Sequence, residues 1–236
     1  MDELVDSIKK LTREWLKTQP KLPEWYVCSK DAQANPELKE AIRELLQSFG
    51  RWYIIKEFEN NLHVIEKLLE DDLTKRPAML LNSWFNDPEF SYPINDKARK
   101  FLEHELKTNS GLKELVNLSR ERYMSLNVDS IYRGLSLDSI NKTVIGQSIS
   151  IPFSSWTTDI NTVKEYCTSS NNGVIYKISG ISIDKIAVSD VFIKKYIYML
   201  NENEFLLFSG KYEILNSVYN EIYGTKVNVV TLKEIF

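Results

Sequence analysis

The chain is poor in the residues that build metal centres and covalent frameworks. It has two cysteines and two histidines in 236 residues. Cys28 and Cys167 lie far apart in no metal-ligand or redox spacing, which argues against a disulfide scaffold. His63 and His104 fall on expected helices without ligand-like neighbours, so neither implies a metal site. No excess of basic charge is present: 30 Lys and Arg stand against 33 Asp and Glu, a formal charge of −3. That balance gives no electrostatic case for nucleic-acid or membrane binding, although a local basic patch remains compatible with it. The start, Met1-Asp2-Glu3-Leu4, lacks a basic-then-apolar leader, and no apolar run approaches a bilayer span. A soluble cytoplasmic protein is expected, with delivery into a target or host cell equally compatible. Internal repeats and low-complexity tracts are missing too.

What is present is a chain long enough to bury a core, with 43% hydrophobic and 11% aromatic residues. The first half has helical periodicity. Leu4, Ile8, Leu11 and Trp15 share one face. A second helix opens near Pro36 with Leu38, Ile42, Leu45 and Phe49 as its stripe and Gly50 as its stop. Helical style continues over 51–73 through Leu62, Ile65 and Leu69. From Pro77 to Pro93 the density of Asn, Asp and Pro predicts a long loop. Asn95 is placed to cap a helix over Lys97 to Leu106, and Ser110 one carrying Leu112, Leu115, Val116 and Tyr123.

Near Asn127 the pattern becomes short Ile/Val/Phe/Tyr/Thr runs between turn residues. Expected strands are Ser130–Arg133, Ser148–Phe153, Val174–Ser179, Ala187–Val191, Glu204–Leu207, Tyr212–Val218 and Lys226–Leu232. One helix, about 160–168, follows Asp159 as N-cap. The fold class is α+β: a helical part over 1–126, integral to the fold, and a β-rich core over 127–236.

Three segments carry chemistry. Arg133, at an expected strand end and followed by Gly134, offers a planar fork suited to phosphate, with a glycine that permits close approach. Ser155 and Thr157 project to one face of a strand, with Trp156 on the other. Glu202 and Glu204 share a face if Glu202-Asn203-Glu204 is extended, and the apolar strand after them is expected to be central. In isolation, Arg133 reads rather as the partner of a surface carboxylate and Ser155-Trp156-Thr157 rather as a polar strand end with a core tryptophan, while for the Glu202/Glu204 pair the two readings balance. Taken jointly, a cation, two hydroxyls and two carboxylates can anchor a pyrophosphate, hold a ribose, stabilise an oxocarbenium-like centre and orient a nucleophile. That is the chemistry of cleaving the nicotinamide–ribose bond of NAD.

The set resembles the Arg–Ser–Glu class of mono-ADP-ribosyltransferases, which includes clostridial-type toxins, arginine-specific transferases and phage enzymes. In that family a Tyr-Arg-Gly strand end, a Phe-x-Ser-Thr-Ser strand and a Glu-x-Glu or Gln-x-Glu motif follow in this order. Here Tyr132-Arg133-Gly134, Phe153-Ser154-Ser155-Trp156-Thr157 and Glu202-Asn203-Glu204 match, with Trp156 in the usual Thr place. The resemblance covers about residues 127–236. It implies a mostly antiparallel, two-sheet core of ADP-ribosyltransferase type behind N-terminal helices, with NAD as co-substrate and no metal.

By the same resemblance Arg133 and Gly134 would bind NAD together with Ser155, Trp156 and Thr157. Ser155 would orient Glu204, the catalytic carboxylate on the nicotinamide ribose. Glu202 would align the acceptor, with Tyr198 or Tyr196 as the aromatic that meets it. Glu202 favours a protein arginine as acceptor, because a guanidinium stays protonated and needs a carboxylate to hold it. A toxin or phage effector with an antitoxin or inhibitor as partner fits the class. ADP-ribosylation of RNA or DNA, NAD hydrolysis, and an inactive binding module are the other readings.

Overall fold

The computed structural model describes residues 7, 10, 11, 14, 36–48, 50, 61, 64–86, 96–136, 144–167, 173–193, 203–222 and 224–235. Helix α1 (Pro36–Ser48) begins on a proline, whose missing N–H costs nothing in a first turn. It ends as expected at Gly50, which takes φ +67° while its N–H bonds the Gln47 carbonyl at 2.8 Å. Of the first expected stripe only Leu11 lies among the described residues, in helical conformation. Residues 64–70 are helical and bury Ile65 and Leu68. Thr74 then turns the chain, its hydroxyl donating to the Leu68 carbonyl at 2.7 Å.

The next element overturns the loop expected from Pro77: residues Lys75–Asn86 form helix α2. Pro77 sits in its first turn, where no i−4 partner is lost, and Ala78, Leu81 and Phe85 make a buried stripe at spacings of three and four. Burying that stripe, at about 1.5–3 kcal/mol for each large side chain, outweighs the turn propensity of Asn and Pro. The rest of the expected loop, 87–93, lies outside the described residues.

Helix α3 (Asp96–Thr108) buries Leu102 and Leu106, and α4 (Lys113–Ser125) buries Leu115, Val116, Ser119 and Tyr123. Between them runs a 3-10 turn, Ser110–Leu112. Its cap is Asn109 and not Ser110: the Asn109 side chain accepts from the Gly111 N–H at 3.0 Å and donates to the Leu73 carbonyl at 3.0 Å. An amide can donate and accept at once, and a single hydroxyl reaches less far.

Eight strands form one hydrogen-bonded order, β2-β7-β8-β4-β1-β3-β6-β5. They are β1 (Ser130–Ser136), β2 (Ser148–Ile151), β3 (Ser154–Thr157), β4 (Gly173–Ser179), β5 (Ile186–Ser189), β6 (Glu204–Leu207), β7 (Gly210–Ile222) and β8 (Thr225–Ile235). Neighbours are antiparallel except β4 and β8. The expected strand Ser148–Phe153 is shorter, ending at Ile151 before Pro152, which has no N–H for a ladder. Ser155, Trp156 and Thr157 then belong to a separate strand, β3. β1 meets β4 over seven residue pairs but β3 over one, Tyr132 with Thr157. The sheet is therefore two halves joined at a single point, with Ile131, Trp156, Ile178, Phe205, Tyr212 and Val230 in one interior cluster.

Helix α5 (Ile160–Cys167) covers the outer side of β1 and β4 through Val163 and Cys167, against Ile175 and Val227. As expected, Asp159 caps it, its carboxylate accepting from the Asn161 N–H at 2.9 Å. The α2–α4 helices cover the other half. Leu81, Phe85, Leu102, Leu106 and Leu115 share a buried cluster with Phe153, Val188, Phe192, Leu206 and Phe208. Both faces of β6 are thus covered, which accounts for its unbroken apolar run.

Candidate functional site

The join between the two halves of the sheet is where the three chemical segments converge. Tyr132 on β1 pairs with Thr157 on β3, and Thr157 pairs with Glu204 on β6. Directly opposed residues in antiparallel strands project to the same face, so these three form a row across three strands. Ser155, two positions along β3, shares that face and opposes Leu206. Cβ atoms of opposed residues stand about 4.5–5.5 Å apart and diagonal neighbours about 7–8 Å, which brings Glu204 within side-chain reach of both hydroxyls.

Each hydroxyl has a defined partner. Thr157 is buried and its Oγ1 accepts from the Asp159 N–H at 3.0 Å, tying the row to the cap of α5. Ser155, half-buried, accepts from the Trp84 indole N–H at 2.8 Å. Trp84 belongs to α2 and packs edge-on against Phe153, with ring centroids 5.4 Å apart. Arg99 of α3 lies over the Trp84 ring at 5.6 Å. The signal for Trp84 was present in the sequence as the neighbour of the Ala78/Leu81/Phe85 stripe, obscured by the loop reading. For Arg99 nothing in the sequence marked it.

Arg133 stands within its strand, since β1 continues to Ser136. Alternation turns it to the face opposite Tyr132, beside its cross-strand partner Tyr176. Its Nη1 is buried and makes no hydrogen bond among the described residues. Burial pulls the guanidinium down to about 10, and the like charge of Arg99 adds to the fall while Tyr176 opposes it. At neutral pH it is still a cation, under-solvated and with a donor unused, and an anion would relieve both conditions. A cleft of about 520 Å³ is lined by Arg99, Lys100, Glu103, Phe153, Gly210 and Lys211 among others, and by none of Arg133, Ser155, Thr157 or Glu204.

Three expectations change. Gly134 makes room for protein instead of ligand: a Cβ there would fall 2.5 Å from the Val163 carbonyl oxygen of α5. Trp156 is 2% exposed in the interior cluster, its indole N–H donating to Ser154 Oγ at 3.1 Å, so it is a core side chain and not a cofactor contact. Asn203 takes φ +42°, so the chain is not extended at Asn203, the residue through which the expected alternation runs. Glu202, Tyr196 and Tyr198 themselves lie outside the described residues.

No protein-family model matches the chain, and a comparison with curated proteins gives no match. Solved structures similar to it at low overall superposition include two ADP-ribosyltransferase toxins and the enzymatic component of another toxin. Vis toxin from Vibrio splendidus is 13% identical, with 88% of this chain and 87% of that one covered and a TM-score of 0.38. Plx2a from Paenibacillus larvae is 13% identical over 82% of this chain and 96% of its own, TM-score 0.37. The enzymatic component C2-I of the Clostridium botulinum C2-toxin is 17% identical over 76% of this chain and 46% of its own, TM-score 0.39.

Proposed function

We propose that this chain is a mono-ADP-ribosyltransferase that breaks the nicotinamide–ribose bond of NAD and passes ADP-ribose to a protein arginine. The observation that carries the reading is the row across β1, β3 and β6, which sets Glu204 against the β3 hydroxyls, with Arg133 next in sequence to Tyr132 of that row and facing the other side of β1. Three segments that were separate motifs in the sequence lie at one join of the sheet.

The buried guanidinium of Arg133 suits the NAD pyrophosphate, because a planar fork with an unused donor gains most from a dianionic partner. Glu204 would stabilise the positive charge that develops on the nicotinamide ribose as the glycosidic bond lengthens. Ser155 would orient that carboxylate, and Thr157, already engaged with the backbone of Asp159, would hold the strand to α5. Glu202, with Tyr198 or Tyr196, would receive the acceptor guanidinium. NAD is the co-substrate of this chemistry.

Incubation with labelled NAD and a cell lysate tests the proposal. Free nicotinamide and protease-sensitive label are expected, and Glu204→Gln should abolish both while leaving the melting temperature in place. Nuclease-sensitive label would move the acceptor to nucleic acid, and nicotinamide release without label would indicate NAD hydrolysis. A Glu204→Gln variant as active as the parent would sink the assignment of that carboxylate. No nicotinamide release from the parent chain would leave a binding module.

A further inference from the structure

The helical half reaches β3 through a side-chain hydrogen bond. The Trp84 indole N–H donates to Ser155 Oγ at 2.8 Å across 71 residues of sequence. Indole nitrogen is a donor only, whereas a serine hydroxyl has one proton and two lone pairs. Trp84 therefore fills an acceptor position on Ser155 and leaves its proton to point elsewhere. Among the described residues that hydroxyl makes no other side-chain hydrogen bond. On the same face of the sheet, one cross-strand diagonal away, stands Glu204.

Trp84 is itself held. Phe153 meets its ring edge-on at an interplanar angle of 76°, and Arg99 covers the ring from α3. Its neighbour Phe85 is buried in the cluster shared with Leu206, the residue opposite Ser155. The donor is thus fixed on a packed helix and aimed at the hydroxyl, the condition under which a positioning hydrogen bond loses little freedom when the reaction starts.

We propose that Trp84 is a positioning residue for the transfer reaction, setting the direction in which Ser155 donates so that its proton is available to the Glu204 carboxylate. The inference rests on the functional reading above and extends it to the N-terminal helices, which become part of the reaction machinery through a contact other than the β-core motifs.

The test is a double-mutant cycle on nicotinamide release, together with a spectroscopic reading of the bond. Trp84→Phe keeps the ring packing and removes the N–H. It should lower kcat about tenfold, as loss of one oriented donor does, with KM for NAD changed by less than about threefold. In a Ser155→Ala background the same substitution should cost almost nothing further, because its effect passes through the hydroxyl. In the ¹⁵N spectrum the indole resonance lost in Trp84→Phe should shift in Ser155→Ala and stay put in Glu204→Gln. Equal costs of Trp84→Phe in the parent and Ser155→Ala backgrounds, in a chain that releases nicotinamide, would overturn the positioning role alone. An indole resonance unmoved by Ser155→Ala would do the same without reference to activity. A parent chain with no nicotinamide release overturns the functional reading, and the role with it.

Discussion

An added methyl at Gly134 would lie 2.5 Å from one backbone oxygen and 3.2 Å from the Cβ atoms of Tyr166 and Val163. Nothing there is the movable end of a flexible side chain. Gly134→Ala should cost about 1–3 kcal/mol, the usual range for overpacking, by pushing α5 off β1. Denaturant melts would read this as a lower midpoint, and an unchanged midpoint would show that α5 yields freely. The neighbouring arginine makes a prediction of opposite kind. Burial and the like charge of Arg99 lower the Arg133 guanidinium, yet a guanidinium keeps its proton over the range in which proteins stay folded, so NAD binding at it, as proposed, should stay level from neutral to mildly alkaline pH. Titration calorimetry of NAD across that range would show it, and a steady loss of affinity toward alkaline pH would count against a charged Arg133 as the anchor. Both residues were legible in the sequence as Arg-Gly, but their reasons were not. The pair looks like a ligand cradle until the helix against the glycine and the second arginine near the first are seen.

At the scale of elements, α5 ties the site to the fold. Its cap Asp159 accepts from Asn161, and the Asp159 N–H in turn donates to Thr157 in the row with Glu204. Asp159→Ala should lower stability by about 1 kcal/mol, the ordinary loss for a cap, with an unchanged m-value in urea. A change in m would indicate that the helix had come away from the sheet. Such elements were read correctly where one local signal dominated. Asp159 before an apolar stripe, Gly50 after one, and the unbroken run of β6 each specify a single outcome. Local signals failed where they conflicted. Pro77 and its asparagines outvoted the Ala78/Leu81/Phe85 stripe on paper, yet a tertiary surface was there to bury the stripe. Pro152 split one expected strand into β2 and β3, and the left-handed Asn203 broke an expected alternation that no composition rule reveals.

Across the whole molecule, burial sets the response to alkali. Tyr123, Tyr176 and Tyr212 all hold their phenolic protons more tightly than a free tyrosine, chiefly because burial disfavours the phenolate. Tyr212 is pushed up to about 12, with the neighbouring Glu234 charge adding to the rise. Glu234 opposes Tyr212 across β7 and β8, and Lys185 pairs with it at 3.1 Å. A phenol whose folded value exceeds its unfolded one of about 10 contributes stability that is complete below pH 10 and lost as pH rises toward the folded value. Unfolding free energy should therefore be insensitive to these groups below pH 10 and decline above it, and Tyr212→Phe should flatten part of that decline. Urea melts at increasing pH would show this, and identical slopes for both proteins would contradict it. Lys185→Met leaves a buried carboxylate without its cation and should cost about 3 kcal/mol, read as a lower urea midpoint.

By itself the sequence determined the class of the fold, the succession of a helical part and a strand-rich part, and the three motifs that suggest NAD chemistry. These depend on periodicity, caps and residue type, all encoded within short windows of chain. Only the tertiary structure decided that β1 and β3 touch at a single pair and that α5 occupies the space at Gly134. It also decided that Trp156 is core and that Trp84, from a stretch that looked like loop, supplies the hydrogen bond to Ser155. Those facts join residues up to 71 positions apart, and their energies come from burial and register between elements, which no local pattern contains.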